Sequence, residues 1–434
     1  MEMKLSVIGL GKLGLCTAMC FAEKGIQVIG VDNNERLIKT LALGNCPIEE
    51  PGLSHLIEKA KGNVVFTTDY SLAIKETDIT MVIVPTPSKP DGSFDNSYIE
   101  QVLLIIAPYL KQKKTFHIID IVSTVMPGSC AKVFIPLIEK ETDKRCGEDF
   151  GLVYNPEFIA IGSVIRDFKN PDMVLIGGSD ETSTMKVKSL YEKVVENRPE
   201  YKIMSLINAE ITKLALNCYI TMKISFANEL GKLCECIEGA NVDIITDAIG
   251  SDSRVGKKCL KAGLGFGGPC FPRDNKAFQA LAKDNGLRLH LANATVEVNN
   301  EVIQRLEDKI TSLFNPPATI AILGLAYKAG THITEASQAM MLVERLNKKG
   351  YRLNVHDPKA LRYLDLNQYQ YVTTYEDPLG ACLNSNCAVL MLDTAEYRQI
   401  DWSKLNELKT DYKVFDPWKA VCGSSLMCNF NEFE

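Results

Sequence analysis

Over its first 180 or so positions the chain sets short apolar runs between polar clusters and glycines. The runs at 4–9, 26–31, 63–67, 79–84, 115–121, 150–153 and 173–177 have the length and composition of buried strands. Helix-like stretches lie between most of them; the clearest is 13–24, which Gly25 closes as a C-terminal cap. Strands alternating with helices predict a parallel sheet covered on both faces. Near residue 205 the period changes. From 208 to 238 apolar residues recur at helical spacing, with no proline and only Gly231 as a breaker, which predicts one long helix or two abutting ones. Helical character continues to about residue 310, interrupted by a glycine-rich loop at 261–275. Asn315-Pro-Pro317 marks a boundary. After it, Ala318-Thr-Ile-Ala-Ile-Leu-Gly-Leu325 repeats the pattern that opens the chain, and strands are expected at 351–356, 388–392 and 413–415. Residues 428–434 read as a frayed tail.

Gly9-Leu-Gly-Lys-Leu-Gly14 falls between the first strand and the first helix, and Asp32 follows the second strand. A dinucleotide needs these types here. Gly9 makes the tight turn, Gly11 lets backbone approach a pyrophosphate, and Gly14 lets helix and strand pack closely. The helix start, at Lys12 and Leu13, offers amides to the phosphates, and Asp32 binds ribose hydroxyls and repels a 2′-phosphate. NAD is therefore expected as cofactor, with a flavin as the rival. The second turn, Gly324-Leu-Ala-Tyr-Lys328, lacks the fingerprint and is read as structural. The expected fold is α/β: Rossmann-like doubly wound domains at 1–204 and 315–434, joined by a central helical domain at 205–314.

Composition narrows the function classes. With 434 residues, 46% hydrophobic, 24% charged and a net charge of −6, the chain has an ordinary soluble composition and no basic footprint for nucleic acid. No apolar run approaches the ~20 residues that span a membrane, and no signal peptide is read at the start, so a reducing cytoplasmic setting is expected. The 14 cysteines form no CxxC pair, and Cys234 and Cys236 have no histidine cluster near them, so neither a metal site nor a disulfide framework is expected.

One cysteine has unusual neighbours. In Gly265-Phe-Gly-Gly-Pro-Cys-Phe-Pro-Arg-Asp274, glycines expose backbone around Cys270, Arg273 favours a thiolate, and Asp274 shares a face with Cys270 if a helix starts here. By spacing alone, a phosphate loop with an incidental cysteine fits equally well. Other motifs follow an order along the chain: Asn45-Cys-Pro-Ile-Glu-Glu-Pro-Gly52, Pro85-Thr-Pro87, Ser123-Thr-Val125, Asn155-Pro-Glu-Phe158, Asn170-Pro-Asp172, Lys213 with Asn217, Arg254, Lys261, the Cys270 loop and Lys328. In this order they resemble the UDP-glucose/GDP-mannose dehydrogenase family.

The resemblance implies a four-electron oxidation of the C6 alcohol of a nucleotide sugar, using two NAD in turn, with UDP-glucose the first expectation. UDP-N-acetylhexosamines, UDP-galactose and GDP-mannose remain open. It implies that Cys270 holds the aldehyde as a thiohemiacetal and then a thioester. Lys213 and Asn217 would stabilise charge on the substrate oxygen, Asp274 and Thr124 would position water, and Glu157 would act as base in thioester hydrolysis. It adds Arg36, Pro85, Thr86 and Thr124 to the cofactor contacts. For the substrate it implies Glu157, Phe158, Ile159, Lys213, Asn217, Lys261, Phe266, Phe271, Lys328 and the amides of Gly267 and Gly268. It also implies a homodimer in which Arg254 reaches the neighbouring subunit's sugar site. Each residue has a plainer reading: Lys213 and Asn217 as a solvated helix face, Glu157 as a turn cap, Thr124 as a strand-end hydroxyl bonded to its own backbone.

Three positions depart from the family pattern. Ile161 stands where UDP-glucose enzymes often have a second glutamate. Glu335 stands where an arginine usually contacts the NAD phosphates, and Trp418 stands where an arginine usually touches substrate. Two rivals follow. A β-hydroxyacid dehydrogenase shares the front domain and helical middle but uses no nucleophilic cysteine. A non-catalytic nucleotide-sugar sensor would bind without turnover.

Overall fold

The structure, a computed structural model, describes residues 3–159, 162–409, 412–421 and 427–428. Two compact units divide the chain, Met1–Ala215 and Leu216–Glu434.

The first unit is built on an eight-stranded sheet: β1 (Leu5–Ile8), β2 (Val28–Val31), β3 (Val64–Thr67), β4 (Ile79–Val82), β5 (His117–Ile121), β6 (Phe150–Tyr154), β7 (Met173–Gly178) and β8 (Glu200–Ser205). Its order is β3-β2-β1-β4-β5-β6-β7-β8. The order reverses where β1 meets β4, and the carboxyl ends of strands at such a switch form the usual ligand crevice of this architecture. The sheet is parallel except for β6–β7, which pair antiparallel. At that junction the strands lie tight against the helix that follows: a Cβ on Gly177 would lie 2.6 Å from the Cβ of Ala209. The pattern of apolar positions misses β8. It is an edge strand, paired only with β7, and four of its six residues are exposed, so no buried run marks it.

The predicted long helix is a single one, Leu206–Glu235, thirty residues following β8 directly. In the second unit, helices Val242–Gly250, Phe271–Asp284 and His290–Leu313 precede a parallel sheet of β9 (Thr319–Leu323), β10 (Arg352–His356), β11 (Val372–Thr374), β12 (Cys387–Leu390), β13 (Lys413–Phe415) and β14 (Met427–Cys428). Its order is β11-β10-β9-β12-β13-β14. Helix and sheet share one core here: Ile303, Leu306 and Ile310 pack with Ile320, Ile322 and Leu342. Cys428, expected in the tail, lies in β14 because its backbone pairs with Phe415; the rest of that tail lies outside the described residues. Among the described residues no helix is long and apolar enough to cross a membrane.

Candidate active site

The first glycine turn is shaped by contact. Gly9 has φ +94°, and a Cβ there would meet the carbonyl oxygen of Ile83 at 2.2 Å. A Cβ on Gly14 would sit 1.8 Å from the carbonyl oxygen of Gly9, so both positions require glycine. Gly11 differs: nothing lies within 4 Å of its Cβ position, and it begins helix Lys12–Glu23 with no side-chain cap. The first amides of that helix, from Lys12 and Leu13 on, are thus open to a phosphate group, which is the fit a dinucleotide needs. Asp32 Oδ2 accepts from Leu10 N at 2.8 Å and Oδ1 from Asn34 N at 2.9 Å. Each oxygen keeps a lone pair for a ribose hydroxyl. The matching acid of the second sheet, Asp357, is buried and accepts from Leu325, Ala326, Lys359 and Ala360 amides, two on each oxygen. Its capacity is used up, which supports a structural role for the second turn. Lys12 lies 3.8 Å from the buried Glu50, and Arg36 is exposed.

Further along the same sheet, Pro85 is exposed and Thr86 is buried, its hydroxyl donating to the carbonyl of Thr124 at 2.7 Å. Ser123 Oγ donates to Val84 O and accepts from Val84 N, so the loops after β4 and β5 are tied together. Glu210 braces the next stretch. It is fully buried on the long helix and accepts from Gly128 N (2.6 Å) and Cys130 N (2.9 Å).

Glu157 follows β6 and is partly buried. Tyr191 donates its hydroxyl to Oε1 at 2.6 Å. Burial pushes the carboxyl up to about 7, outweighing the Tyr191 hydrogen bond and the Lys213 charge, which both pull it down. Lys213 is buried; its Nζ donates to the carbonyl of Glu157 at 2.5 Å and lies 4.5 Å from the centre of the Phe158 ring. The solvated-face reading of Lys213 therefore fails. Ile159 packs on the core of this unit. Ile161 lies outside the described residues.

In the second unit, helix Phe271–Asp284 starts directly after Cys270, which is exposed and occupies the N-cap position. A sulfur there faces the partial positive end of the helix, a setting that suits a nucleophile. Asp274 N donates to Cys270 O at 2.8 Å, so the face shared by these two residues is present. Asp274 is buried and accepts from Asn217 Nδ2 at 2.6 Å, while Arg273 Nε lies 3.5 Å from its other oxygen. Asn217 too is no solvated-face residue.

Two asparagines hold the glycine loop. Asn299 Oδ1 accepts from Phe266 N at 2.6 Å and its Nδ2 donates to Phe266 O; Asn228 Oδ1 accepts from Gly263 N at 2.9 Å. Loss of one such buried bond costs about 1–3 kcal/mol. Pattern reading missed both. The available signal was a polar side chain on an otherwise buried helix face, with Asn217, Thr221 and Asn228 in step on the long helix.

One expectation needs correction. The Gly268 amide is not open to a sugar or phosphate, because it donates to the backbone carbonyl of Glu335 at 3.1 Å. Position 335 thus holds the cysteine loop through its main chain, and its side chain is exposed. Gly267 and Gly268 are needed for clearance: a Cβ would strike Ala336 O at 2.4 Å and the Tyr327 ring at 2.5 Å, respectively. Phe271 stands edge-on to Phe266, with ring centres 6.4 Å apart. Lys328 lies 5.7 Å from the Tyr327 ring centre. Arg254 is exposed and paired with Asp252 at 2.6 Å, away from the loop hydrogen bonds. Lys261 lines a shallow cleft with Asn228, Gly263, Arg305, Trp418 and Lys419. The Trp418 indole N–H is buried with no hydrogen-bond partner among the described residues.

Fold and turn together define a dinucleotide-binding α/β protein with a second, cysteine-bearing unit. The chain belongs to the UDP-glucose/GDP-mannose dehydrogenase family. It matches that family's NAD binding domain over residues 3–195, its central domain over 207–301 and its UDP binding domain over 321–422. NAD is accordingly its cofactor. UDP-glucose 6-dehydrogenase AglM of Haloferax volcanii is 34% identical over 404 residues, 92% of this chain and 93% of that one. GDP-mannose 6-dehydrogenase of Pseudomonas syringae pv. tomato is 35% identical over 359 residues, 82% and 81% of the two chains. The solved structure of a UDP-glucose dehydrogenase from Pyrobaculum islandicum superposes with a TM-score of 0.91 at 29% identity, covering 100% of this chain and 98% of that one.

Proposed function

We propose that the protein oxidises the C6 alcohol of UDP-glucose to the carboxylate in two hydride transfers, through a covalent adduct on Cys270. The observation that carries this reading is Cys270 itself, exposed at a helix start, with the buried Asp274–Asn217 pair one turn away. NAD, when bound, accepts the hydride at each oxidation. The chain's own groups do the rest. Cys270 Sγ adds to the aldehyde carbon and retains it between oxidations. Lys213 and Asn217 offer donors to the substrate oxygen as it gains charge. Glu157, helped by the Thr124 loop and Asp274, takes a proton from the water that cleaves the thioester. The cleft at Lys261 offers cationic and aromatic groups to the nucleotide end, with the Trp418 N–H in place of an arginine there. Arg254, exposed and braced by Asp252, is available to a neighbouring subunit. The three-part division at 1–204, 205–314 and 315–434 belongs to this reading, as does a reducing cytoplasm that keeps Cys270 a thiol.

UDP-glucose is favoured by the names of relatives that span nearly the whole chain, while GDP-mannose enzymes at similar identity keep that sugar in the panel. The deciding experiment counts NADH formed per sugar consumed, with NAD and a panel of UDP- and GDP-sugars. Two NADH and a uronic acid from UDP-glucose are expected. One NADH with a released carbonyl product would remove the thioester route, and binding without NADH would favour a sensor.

The reading includes a homodimer. On the long helix Tyr219, Phe226 and Leu233, seven residues apart, are 52%, 48% and 55% exposed. Such a stripe buries readily against a second copy of itself. Phe226→Asp is expected to shift the protein from dimer to monomer in light scattering while leaving the melting transition cooperative. An unchanged mass would rule this face out.

A further inference from the structure

Glu157 is held from more sides than a water-activating carboxylate requires. Tyr191, at the end of helix Glu181–Tyr191, is buried, and its hydroxyl lies 2.6 Å from Oε1. Its ring is fixed by Phe21, edge-on at 5.6 Å, and by Phe168 at 5.7 Å. Lys213 anchors the Glu157 backbone carbonyl, so neither main chain nor side chain is loose. Two further titratable groups face Glu157. Asp120, on β5, is fully buried, with no hydrogen-bond partner for either oxygen among the described residues. Burial, and then the Glu157 charge, hold it well above the usual carboxylate range. Cys20, on helix Lys12–Glu23, is pushed up to about 12, chiefly by burial. The groups that pull the Glu157 carboxyl down, and so stabilise its anion, are Tyr191 through its hydrogen bond and Lys213 through its charge.

We propose that Tyr191 is the positioning residue of the general base: by occupying Oε1 it leaves Oε2 as the oxygen that receives the water proton. The proposal rests on the reading of Glu157 as that base. In the step concerned, water oxygen bonds to the thioester carbon, one water proton passes to Oε2, the C–S bond breaks, and Cys270 leaves as thiolate. The products are the sugar acid and, after the proton is handed on, a regenerated thiol. No electrons are exchanged.

The test is the pH dependence of acid release measured separately from the first NADH burst. Tyr191→Phe keeps the ring and removes the donor. It is expected to move the rising limb of the hydrolysis rate upward by roughly one pH unit, a slowing of about fivefold at pH 7 that approaches about tenfold well below it. The first burst and the KM for sugar should stay as they are. A hydroxyl with a purely structural role would lower the melting temperature and leave the limb in place. Asp120→Asn removes the neighbouring carboxyl and should not move the limb; a downward shift in that variant would mean that charge on Asp120 sets the base, and would overturn the proposal. If Glu157→Gln hydrolyses the thioester normally, the Glu157 reading falls and this one with it. If hydrolysis depends on Glu157 but Tyr191→Phe leaves the limb unmoved, the Tyr191 proposal alone falls.

Discussion

Replacing Cys270 by serine is expected to stop acid formation, lowering kcat on the order of 10³-fold or more, because serine here lacks a base to make its hydroxyl a comparable nucleophile. Binding of NAD and of the nucleotide sugar should survive. Cys270 is exposed and lies outside every hydrophobic core cluster, and surface substitutions of this kind usually change stability by less than about 0.5 kcal/mol. The measurement pairs equilibrium binding with NADH stoichiometry. A Cys270→Ser enzyme that still yields two NADH per sugar would exclude the covalent route, whatever its rate.

The second large effect is expected at Glu157. Glu157→Gln keeps the side-chain shape and removes the base, so thioester hydrolysis should slow by about 10²–10³-fold. The first NADH burst should persist, with thioester accumulating on the enzyme, detectable as a mass increase after acid quench. In the wild type, hydrolysis should rise with pH through about 7 and level off above it, since burial has raised the carboxyl to that value and the base acts when ionised. The sign for stability is opposite. A carboxyl raised from 4.5 to about 7 on folding favours the native state below 4.5, and that contribution is lost as pH rises through 7. Glu157→Gln should therefore gain stability relative to wild type across that window. A variant whose relative melting temperature is flat with pH, or whose burst decays at the normal rate, would remove Glu157 from the reaction.

Much of this architecture could be read along the chain because its strands are buried on both faces. β1, β4, β5 and β6 are wholly buried, mostly apolar runs of the kind that doubly covered parallel sheets require, and two of the fingerprint glycines, Gly9 and Gly14, fall where a Cβ would strike backbone. The edges were harder to read. β8 and β11 lean on one neighbour each and carry exposed polar residues, so they leave no periodic trace. Spacing alone leaves a helix start after Cys270 conditional; the structure places it at Phe271, with Pro272 in the first turn.

By itself the sequence determined the α/β class with its parallel sheets, the long helix and NAD as the cofactor, since each depends on local periodicity or on residue types with one backbone use. Only the tertiary structure decided what those residues touch. The Glu335 carbonyl holds the cysteine loop, Asp357 spends every lone pair on backbone, and Tyr191 and Asp120 approach Glu157 from a helix and a strand distant in sequence. Burial and hydrogen-bond partnership are properties of the packed interior, and they are what raise the Glu157 carboxyl to about 7.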